Sequence, residues 1–231
     1  MPRLRSDMAD SITRVILERI ENYELKSGDI ISDTELAAEF GVSRTPVREA
    51  IFSLIDNGVL ERKKTKVTVA PITLKDIEEI TDVRDAIEQK AVELIIAKGG
   101  PTSEQFNYLE QLQKDMKHNI VLGNIKGNFS ADHLFHTALY DIADNQRLRN
   151  IHNRLLMQSQ RLRWLSQLTP ERFVHSCEEH EDILKSIQDM DVQEARRRVH
   201  IHLENTLANY RMVLSSAQWI NMVSDMQSQI K

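Results

Sequence analysis

Much of the fold of the N-terminal part of this chain follows from GVSRTPVREAI, residues 41–51. Ser43 predicts the start of a helix, because its hydroxyl can accept from first-turn amides, and Pro46 in that turn costs no hydrogen bond. A shorter helix is predicted just before it, with Asp33 as the N-cap and Gly41 as the closing residue. The stretch therefore predicts two short helices joined by a tight turn.

The residues that follow this helix pair change period. In VLERKKTKVTVAP, residues 59–71, the β-branched Val67 and Val69 alternate with smaller or polar side chains, which predicts a small hairpin with a basic tip. An earlier helix is predicted over residues 8–24 from its apolar spacing. Together these elements predict a winged helix-turn-helix domain over residues 1–72.

The second helix of such a motif presents its first turns to DNA. An arginine can grip guanine with a bidentate fork, whereas hydroxyls and amides at the helix start suit phosphate. We therefore predict DNA contacts from the helix residues Ser43, Arg44, Thr45 and Arg48, and from the hairpin residues Lys63, Lys64 and Lys66. The alternative is that Arg44 and Arg48 are ordinary solvated charges on a helix surface.

From residue 73 onward, apolar positions recur with helical spacing almost throughout. Six helices fit between the breaks, over 74–97, 103–122, 129–143, 146–166, 172–188 and 192–214, and an apolar stretch at 217–229 could add a tail helix. Residues 73–231 are therefore predicted to form an all-α bundle of six or seven helices. The chain as a whole is predicted to be mainly α.

The composition fits a helix-rich protein of two domains. The 231 residues are 41% hydrophobic and include only 7 Gly, 5 Pro and a single cysteine, Cys177. This argues against disorder and against a disulfide-linked secreted fold, and no segment is typical of a signal sequence or membrane span. We expect a cytoplasmic protein that binds no membrane. Because the net charge is −5, any DNA contact must come from a local basic patch.

Helical phase divides the histidines of the bundle. Four polar side chains share faces with apolar residues and should point inward: Asp132, His136, His180 and His202. Three histidines share faces with charged residues and should point to solvent: His133, His175 and His200. Burying the first group without partners would cost roughly 1–3 kcal/mol for each side chain. A divalent metal and a hydrogen-bonded polar network are equally compatible with this geometry.

The N-terminal pattern resembles the DNA-binding domain of the GntR family of bacterial regulators. The family signature, ELA followed by GVSRTPVREAL, is nearly complete in residues 35–51. Two positions depart from it, since Thr34 stands where many members carry arginine and the hairpin tip at residues 63–66 lacks the usual glycine. The resemblance implies a DNA-binding winged helix-turn-helix and adds Thr34 to the candidate contacts.

Residues 73–215 resemble the FCD effector domain of the FadR-type members of that family. The D-x-x-F-H motif, the E-H-x-x-I segment and the H-L pair match Asp132–His136, Glu179-His180 and His202-Leu203. The resemblance implies that a divalent metal is bound by Asp132, His136, His180 and His202. Zn²⁺ suits this ligand set best, with Ni²⁺ or Mn²⁺ as alternatives.

The same resemblance implies that a small organic acid binds at open metal positions. Arg84 shares a face with apolar residues, so its cation should point into the core, where an anion could neutralise it. The alternative is a weak pair with Glu88, four residues on. Arg163 is a second effector candidate, although the phase of its helix does not distinguish it from Arg161.

These observations predict a homodimeric transcriptional regulator, most simply a repressor, that binds an imperfect palindrome in double-stranded DNA and responds to a small carboxylic acid. One alternative is that the metal ion itself is the signal. Another is a hydrolase in which the metal activates water. The hydrolase lacks a general base, since Glu179 lies about 100° round the helix from His180. We therefore expect no enzymatic activity.

Overall fold

The structure, a computed structural model, describes residues 2–22, 24–159 and 169–216. These residues divide into two compact units, one formed by 2–73 with 154–159 and the other by 74–153 with 169–216. Within the described ranges, no helix is both long and apolar enough to cross a bilayer. The chain is mainly α, as predicted.

The first unit is a winged helix-turn-helix. Its elements are α1 (Pro2–Glu21), β1 (Ile30–Ile31), α2 (Asp33–Phe40), α3 (Arg44–Asp56), β2 (Leu60–Lys63) and β3 (Lys66–Val69). The predicted hairpin consists of β2 and β3, which pair antiparallel with Leu60 opposite Val69. The sequence does not predict β1, which pairs with β3, because a two-residue strand is too short to show alternation.

The ends of α2 differ slightly from the prediction. Ser32, not Asp33, is its N-cap, because Ser32 has extended backbone angles and its Oγ accepts from the amide of Glu35 at 3.2 Å. Asp33 is instead the first helical residue, where a carboxylate is favoured by the helix dipole. Gly41 closes α2 in the left-handed conformation, with φ of 64°, as predicted.

The turn at the tip of the hairpin contains no glycine. Lys63 and Lys66 are paired across the strands, so Lys64 and Thr65 form the turn between them. Lys64 has a φ of 56°, a left-handed conformation that glycine adopts most easily. The turn is therefore built with a lysine at a position where a side chain costs some free energy.

The core of this unit is aliphatic. Ile12 and Ile16 from α1 lie in one buried cluster with Val47 and Leu54 from α3. Because these residues take up the inner face of α3, its polar residues are left on the opposite, solvent-facing side.

From residue 74 onward, the described chain is helical. It contains α4 (Leu74–Ala97), α5 (Ser103–Val121), α6 (Ile125–Ala143), α7 (Gln146–Ser159), α8 (Glu171–Gln188) and α9 (Val192–Ser215). The described helix ends agree with the predicted ones to within one residue, except that α6 begins four residues earlier than predicted. The reason is a cap, because Asn124 Oδ1 accepts from the amide of Gly127 at 3.1 Å. The predicted continuation over 160–166 and the tail helix at 217–229 lie outside the described residues.

The packing of these helices positions the site. α4 packs along α9, α5 packs along α6, and α8 contacts both α9 and α5, while α4 also contacts α6. Their inner faces carry mainly leucine, isoleucine and valine, with Phe135 and Tyr140 as fully buried aromatic residues. The polar residues on the inner faces of α4, α6, α8 and α9 are thereby brought together.

Candidate metal centre and DNA-binding face

Three histidines from three helices meet inside the bundle. His136 on α6, His180 on α8 and His202 on α9 are 4%, 0% and 3% exposed. Each offers a ring nitrogen within 4.8 Å of those of the other two. The Nε2 atoms of His180 and His202 lie 3.4 Å apart. The inward orientation that helical phase predicted is therefore observed for all three rings.

Carboxylates lie beside two of these rings. Glu88 on α4 lies with its Oε2 3.0 Å from His136 Nδ1, and Glu179 on α8 lies with its Oε2 2.8 Å from His202 Nδ1. Glu179 accepts from His202 Nδ1–H, which selects the tautomer whose Nε2 carries a lone pair. The contact between Glu88 and His136 is a close ion pair that lacks hydrogen-bond geometry at Nδ1. Neither carboxylate was predicted as a site residue, because each contacts a histidine of another helix.

The ionisation states of the three histidines differ. Burial opposes protonation of His136, but Glu88 outweighs it and raises the pKa of His136, so a metal ion would have to displace a proton from this ring. Burial, together with the neighbouring histidines, lowers the pKa of His180 well below its usual range, and burial also lowers the pKa of His202. Burial opposes ionisation of Glu88 and Glu179, but Arg84 and His136 outweigh it for Glu88, and His202 and Arg172 outweigh it for Glu179, so both pKa values are lowered. His180 and His202 are therefore neutral beside ionised carboxylates near neutral pH.

Asp132 lies at the edge of this cluster. Its Oδ1 is 3.8 Å from His180 Nε2, and its side chain is 36% exposed, so it is less buried than the histidines. It lies one helical turn before His136 on α6 and lines the cavity beside the cluster. The structure thus brings all four predicted ligands to one place, with the three histidines forming the compact set.

The donor set fits a divalent metal ion. Two nitrogens bound to a tetrahedral zinc ion, at about 2.0–2.1 Å each, are separated by roughly 3.3 Å. The observed Nε2 separation of 3.4 Å between His180 and His202 is close to that value, and it is long for a hydrogen bond. Carboxylates behind metal-binding histidines are also a regular feature of such centres. The residues present therefore fit a divalent metal ion.

A cavity of about 90 Å³ adjoins the cluster. Its wall includes Arg84, Asp132, His136, Arg172, Cys177 and His202. Burial raises the pKa of the Cys177 thiol to about 11, so this sulfur is protonated at neutral pH. The charged part of the wall is therefore provided by the two arginines and the aspartate, beside His136 and His202.

Arg84 points into the core, as predicted, and is also paired with Glu88. Its Nε and Nη2 donate to Glu88 Oε1 at 2.9 and 2.8 Å, so the pair with Glu88 exists. Both side chains are largely buried, however, and Arg84 also lines the cavity. The pair is thus a buried support for His136 rather than the weak surface pair considered above. Arg163, the other predicted effector residue, lies outside the described residues.

Arg172 is a cavity residue that the sequence analysis missed. Its Nη2 donates to Glu179 Oε2 at 2.7 Å and to Thr206 Oγ1 at 2.9 Å, and its side chain is 13% exposed. It lies seven residues before Glu179, which places both on one face of α8. The seven-residue spacing could have indicated that Arg172 pairs with Glu179. It points to the cavity only when the contact between Glu179 and His202 is known.

The remaining histidines are not part of the centre. His175 and His200 are exposed, as predicted, and His200 Nδ1 lies 3.0 Å from Asp85 Oδ2. His133, which was also predicted to face solvent, is instead half-buried, because its ring stacks on that of His152. His152, to which the sequence analysis gave no role, is 3% exposed and stacks on Tyr140 with 4.3 Å between ring centres. Burial lowers the pKa of His152 to about 4.

The predicted DNA contacts lie on the surface of the winged helix-turn-helix. All eight candidates are exposed: Thr34, Ser43, Arg44, Thr45, Arg48, Lys63, Lys64 and Lys66. A groove between α3 and the strands is lined by Arg44, Arg48 and Lys66, and also by Arg62. Arg48 and Arg62 each lie 5.8 Å from the ring centre of the half-exposed Phe52. The structure therefore collects cations from the helix and the hairpin along one groove.

Comparison with known proteins agrees with both parts of this description. Residues 79–205 match the FCD domain family, and residues 8–69 match the gntR family of bacterial regulatory proteins. The uncharacterized HTH-type transcriptional regulator YdhC of Bacillus subtilis is 28% identical over 201 residues, which cover 86% of this chain and 89% of that protein. The gluconate operon transcriptional repressor of the same organism is 27% identical over 187 residues, or 75% of this chain and 72% of that protein.

A solved structure shows the same fold. E. coli McbR/YncC superposes with a TM-score of 0.77 at 20% sequence identity, covering 89% of this chain and 98% of that one. The matched families and named relatives are regulators and not enzymes, which removes the hydrolase alternative. This chain belongs to the GntR family of bacterial transcriptional regulators and carries an N-terminal winged helix-turn-helix and a C-terminal FCD domain.

Proposed function

We propose that this protein is a repressor whose affinity for DNA is controlled by a small carboxylic acid bound at a metal ion in the helical unit. The observation that carries this proposal is the cluster of His136, His180 and His202, with carboxylates behind two of its rings. His136, His180, His202 and Asp132 would hold the ion. A bound divalent ion would supply two positive charges and an open position for a carboxylate oxygen.

The charges around the cavity explain why a metal would be required. Two arginines, Arg84 and Arg172, face three carboxylates, Asp132, Glu88 and Glu179, which gives a net charge of −1 with neutral histidines. Glu88 outweighs burial and raises the pKa of His136, and protonation of this ring brings the sum to zero. A divalent cation would change it from −1 to +1. We therefore infer that an anion binds well only to the metal-loaded protein, and that a monoanion matches the site best.

The size of the cavity favours a small ligand. A volume of about 90 Å³ is several times the roughly 10–15 Å³ that one water needs on the same measure. It is far below what a drug-sized molecule would occupy. One relative is named for a gluconate operon, which makes gluconate a reasonable member of any ligand panel.

The DNA-binding role is proposed for a homodimer that places one α3 helix in each half of an imperfect palindrome. Arg44 and Arg48 support this role because both are exposed on the face of α3 opposite the core. Lys63, Lys64 and Lys66 would add contacts to the phosphate backbone. Binding of the acid would lower DNA affinity through a coupling of ~1–3 kcal/mol, which corresponds to about 5- to 150-fold.

The test uses the full chain and a duplex that the protein itself selects from a random library. Metal content is measured after purification, and DNA affinity is then measured for loaded and chelator-stripped protein with a panel of carboxylic acids that includes gluconate. We expect one acid to weaken DNA binding only when metal is present. If chelation alone abolishes DNA binding reversibly and no acid changes it, the ion is the signal and the acid proposal is wrong.

A further inference from the structure

One acidic side chain lies among the cations of the DNA face. Asp33, the first residue of α2, accepts from Arg44 Nη2 with both carboxylate oxygens, each at 2.8 Å. Arg48 Nε lies 4.0 Å from Asp33 Oδ2. Asp33 lines the same groove as these two arginines. The carboxylate therefore holds the guanidinium of Arg44 as a phosphate would.

Asp33 is anchored, whereas the arginines are exposed. Its side chain is 24% exposed, against 59% for both Arg44 and Arg48. It lies in the first turn of α2 beside the Ser32 cap, where a carboxylate is favoured, and it accepts from Thr34 Oγ1 at 3.2 Å. Arg44 also lowers the pKa of Asp33, so the carboxylate is ionised near neutral pH. Its negative charge is thus fixed in position before DNA arrives.

Such a charge acts differently on specific and non-specific DNA. Non-specific binding depends on cations that neutralise phosphates, so a fixed carboxylate on the face weakens it for every sequence. At the operator, Arg44 can exchange the carboxylate for the O6 and N7 atoms of a guanine, a bidentate contact that a wrong base cannot provide. The ion pair itself is exposed and therefore easily exchanged.

We propose that Asp33 is a specificity-determining residue of the DNA face, which occupies Arg44 until a matching base edge replaces it. This inference rests on the proposed role of Arg44 in DNA binding. Asp33 acts by lowering affinity for unrelated DNA more than affinity for the operator. The same logic, in which a repulsive element is built against the wrong partner, is common in specific interfaces.

The experiment compares Asp33→Asn with the wild-type full chain on two duplexes of equal length. One is a sequence that the wild-type protein selects from a random library, and the other is a scrambled version of it. We expect Asp33→Asn to bind the scrambled duplex about 3- to 10-fold more tightly, with a salt slope steeper by up to ~0.9, as expected for one added phosphate contact. Affinity for the selected duplex should change less than twofold. Discrimination should therefore fall by at least about 1.5-fold.

A matched control is available in the same unit. Glu39→Gln removes the same charge from a carboxylate that pairs with Arg19, and Glu39 is not among the residues that line the groove. This variant should leave discrimination unchanged. Equal effects of the two variants would mean that net charge alone is responsible and would overturn the proposal. Unchanged discrimination in Asp33→Asn, with wild-type thermal stability, would also overturn it.

Arg44→Ala separates this inference from the proposed function. If Asp33 acts through Arg44, adding Asp33→Asn to Arg44→Ala should cause no further loss of discrimination, and a further loss would overturn the inference. If Arg44→Ala itself binds both duplexes as the wild type does, the proposed DNA-binding role of Arg44 is wrong. If Arg44→Ala weakens binding while Asp33→Asn has no effect, only the inference about Asp33 is wrong.

Discussion

Glu88 Oε2 lies 3.0 Å from His136 Nδ1, and both side chains are at least 95% buried. Glu88 belongs to α4 and His136 to α6, so the contact joins two helices that are separated by a third in the sequence. The other oxygen of Glu88 accepts from Arg84. One carboxylate therefore neutralises an arginine of the cavity wall and lies in ion-pair contact with a histidine of the candidate metal centre.

Replacing Glu88 should weaken metal binding. We expect Glu88→Gln to lower metal affinity by about 10- to 100-fold, because His136 loses the negative charge of the adjacent carboxylate. Competition with a chromophoric chelator measures this affinity. The variant should also be less stable, because Arg84 would be left buried with only a neutral partner. An unchanged metal affinity would mean that Glu88 serves only Arg84.

Two neighbouring glutamates on α8 give a matched pair. Glu179 supports His202 at 2.8 Å, whereas Glu178 is 67% exposed beside the exposed His175. Glu179→Gln should lower metal affinity by about 10- to 100-fold in the same chelator competition. Glu178→Gln should not change it, although the two variants remove the same charge.

His202 and His200 test the register of α9. His202→Ala should lose bound metal and any response to a carboxylic acid, since it removes one of three clustered ring nitrogens. His200→Ala should keep both, because His200 is exposed and bonds to Asp85 at the surface. Metal analysis of the two purified variants decides between them. Loss of metal from His200→Ala would show that the cluster is wrongly assigned.

The arginines of α3 should be required for DNA binding but not for folding. Arg44→Ala and Arg48→Ala should each cost about 1–3 kcal/mol at the selected duplex, or roughly 5- to 150-fold in affinity. Arg147→Ala, an exposed arginine of α7, serves as the control. Fluorescence anisotropy measures the affinity, and circular dichroism checks the fold. Wild-type affinity in both α3 variants would contradict the recognition-helix assignment.

His152 predicts a specific acid sensitivity. Its pKa is lowered by burial to about 4 in the folded protein, against about 6.5 when unfolded. The unfolded state therefore binds more protons between these values, so stability should fall as pH decreases from about 7 to 4, by up to about 3 kcal/mol. His152→Phe should lack this part of the pH dependence. His118→Gln, at an exposed position, should retain it. Urea unfolding at several pH values measures the difference.

The sequence predicted most helix bounds because periodicity and caps are local. The predicted ranges 74–97 and 192–214 agree with α4 and α9 to within one residue. The predicted start of α6 was wrong, because the asparagine at 124 and the glycine at 127 are residue types that are typical of loops. β1 was missed because two residues carry no pattern of their own, and they become a strand only by pairing with β3.

The sequence by itself determined which side chains of each helix face inward, because 3.6 residues per turn is a property of the local backbone. This is why His136, His180 and His202 could be separated from His175 and His200 before any packing was known. Only the tertiary structure decided that Glu88 supports His136, that Arg172 and Glu179 support His202, and that Asp33 holds Arg44. Those pairs depend on how far one element slides and rotates against another, which is set by the packing of the whole core and not by any one segment.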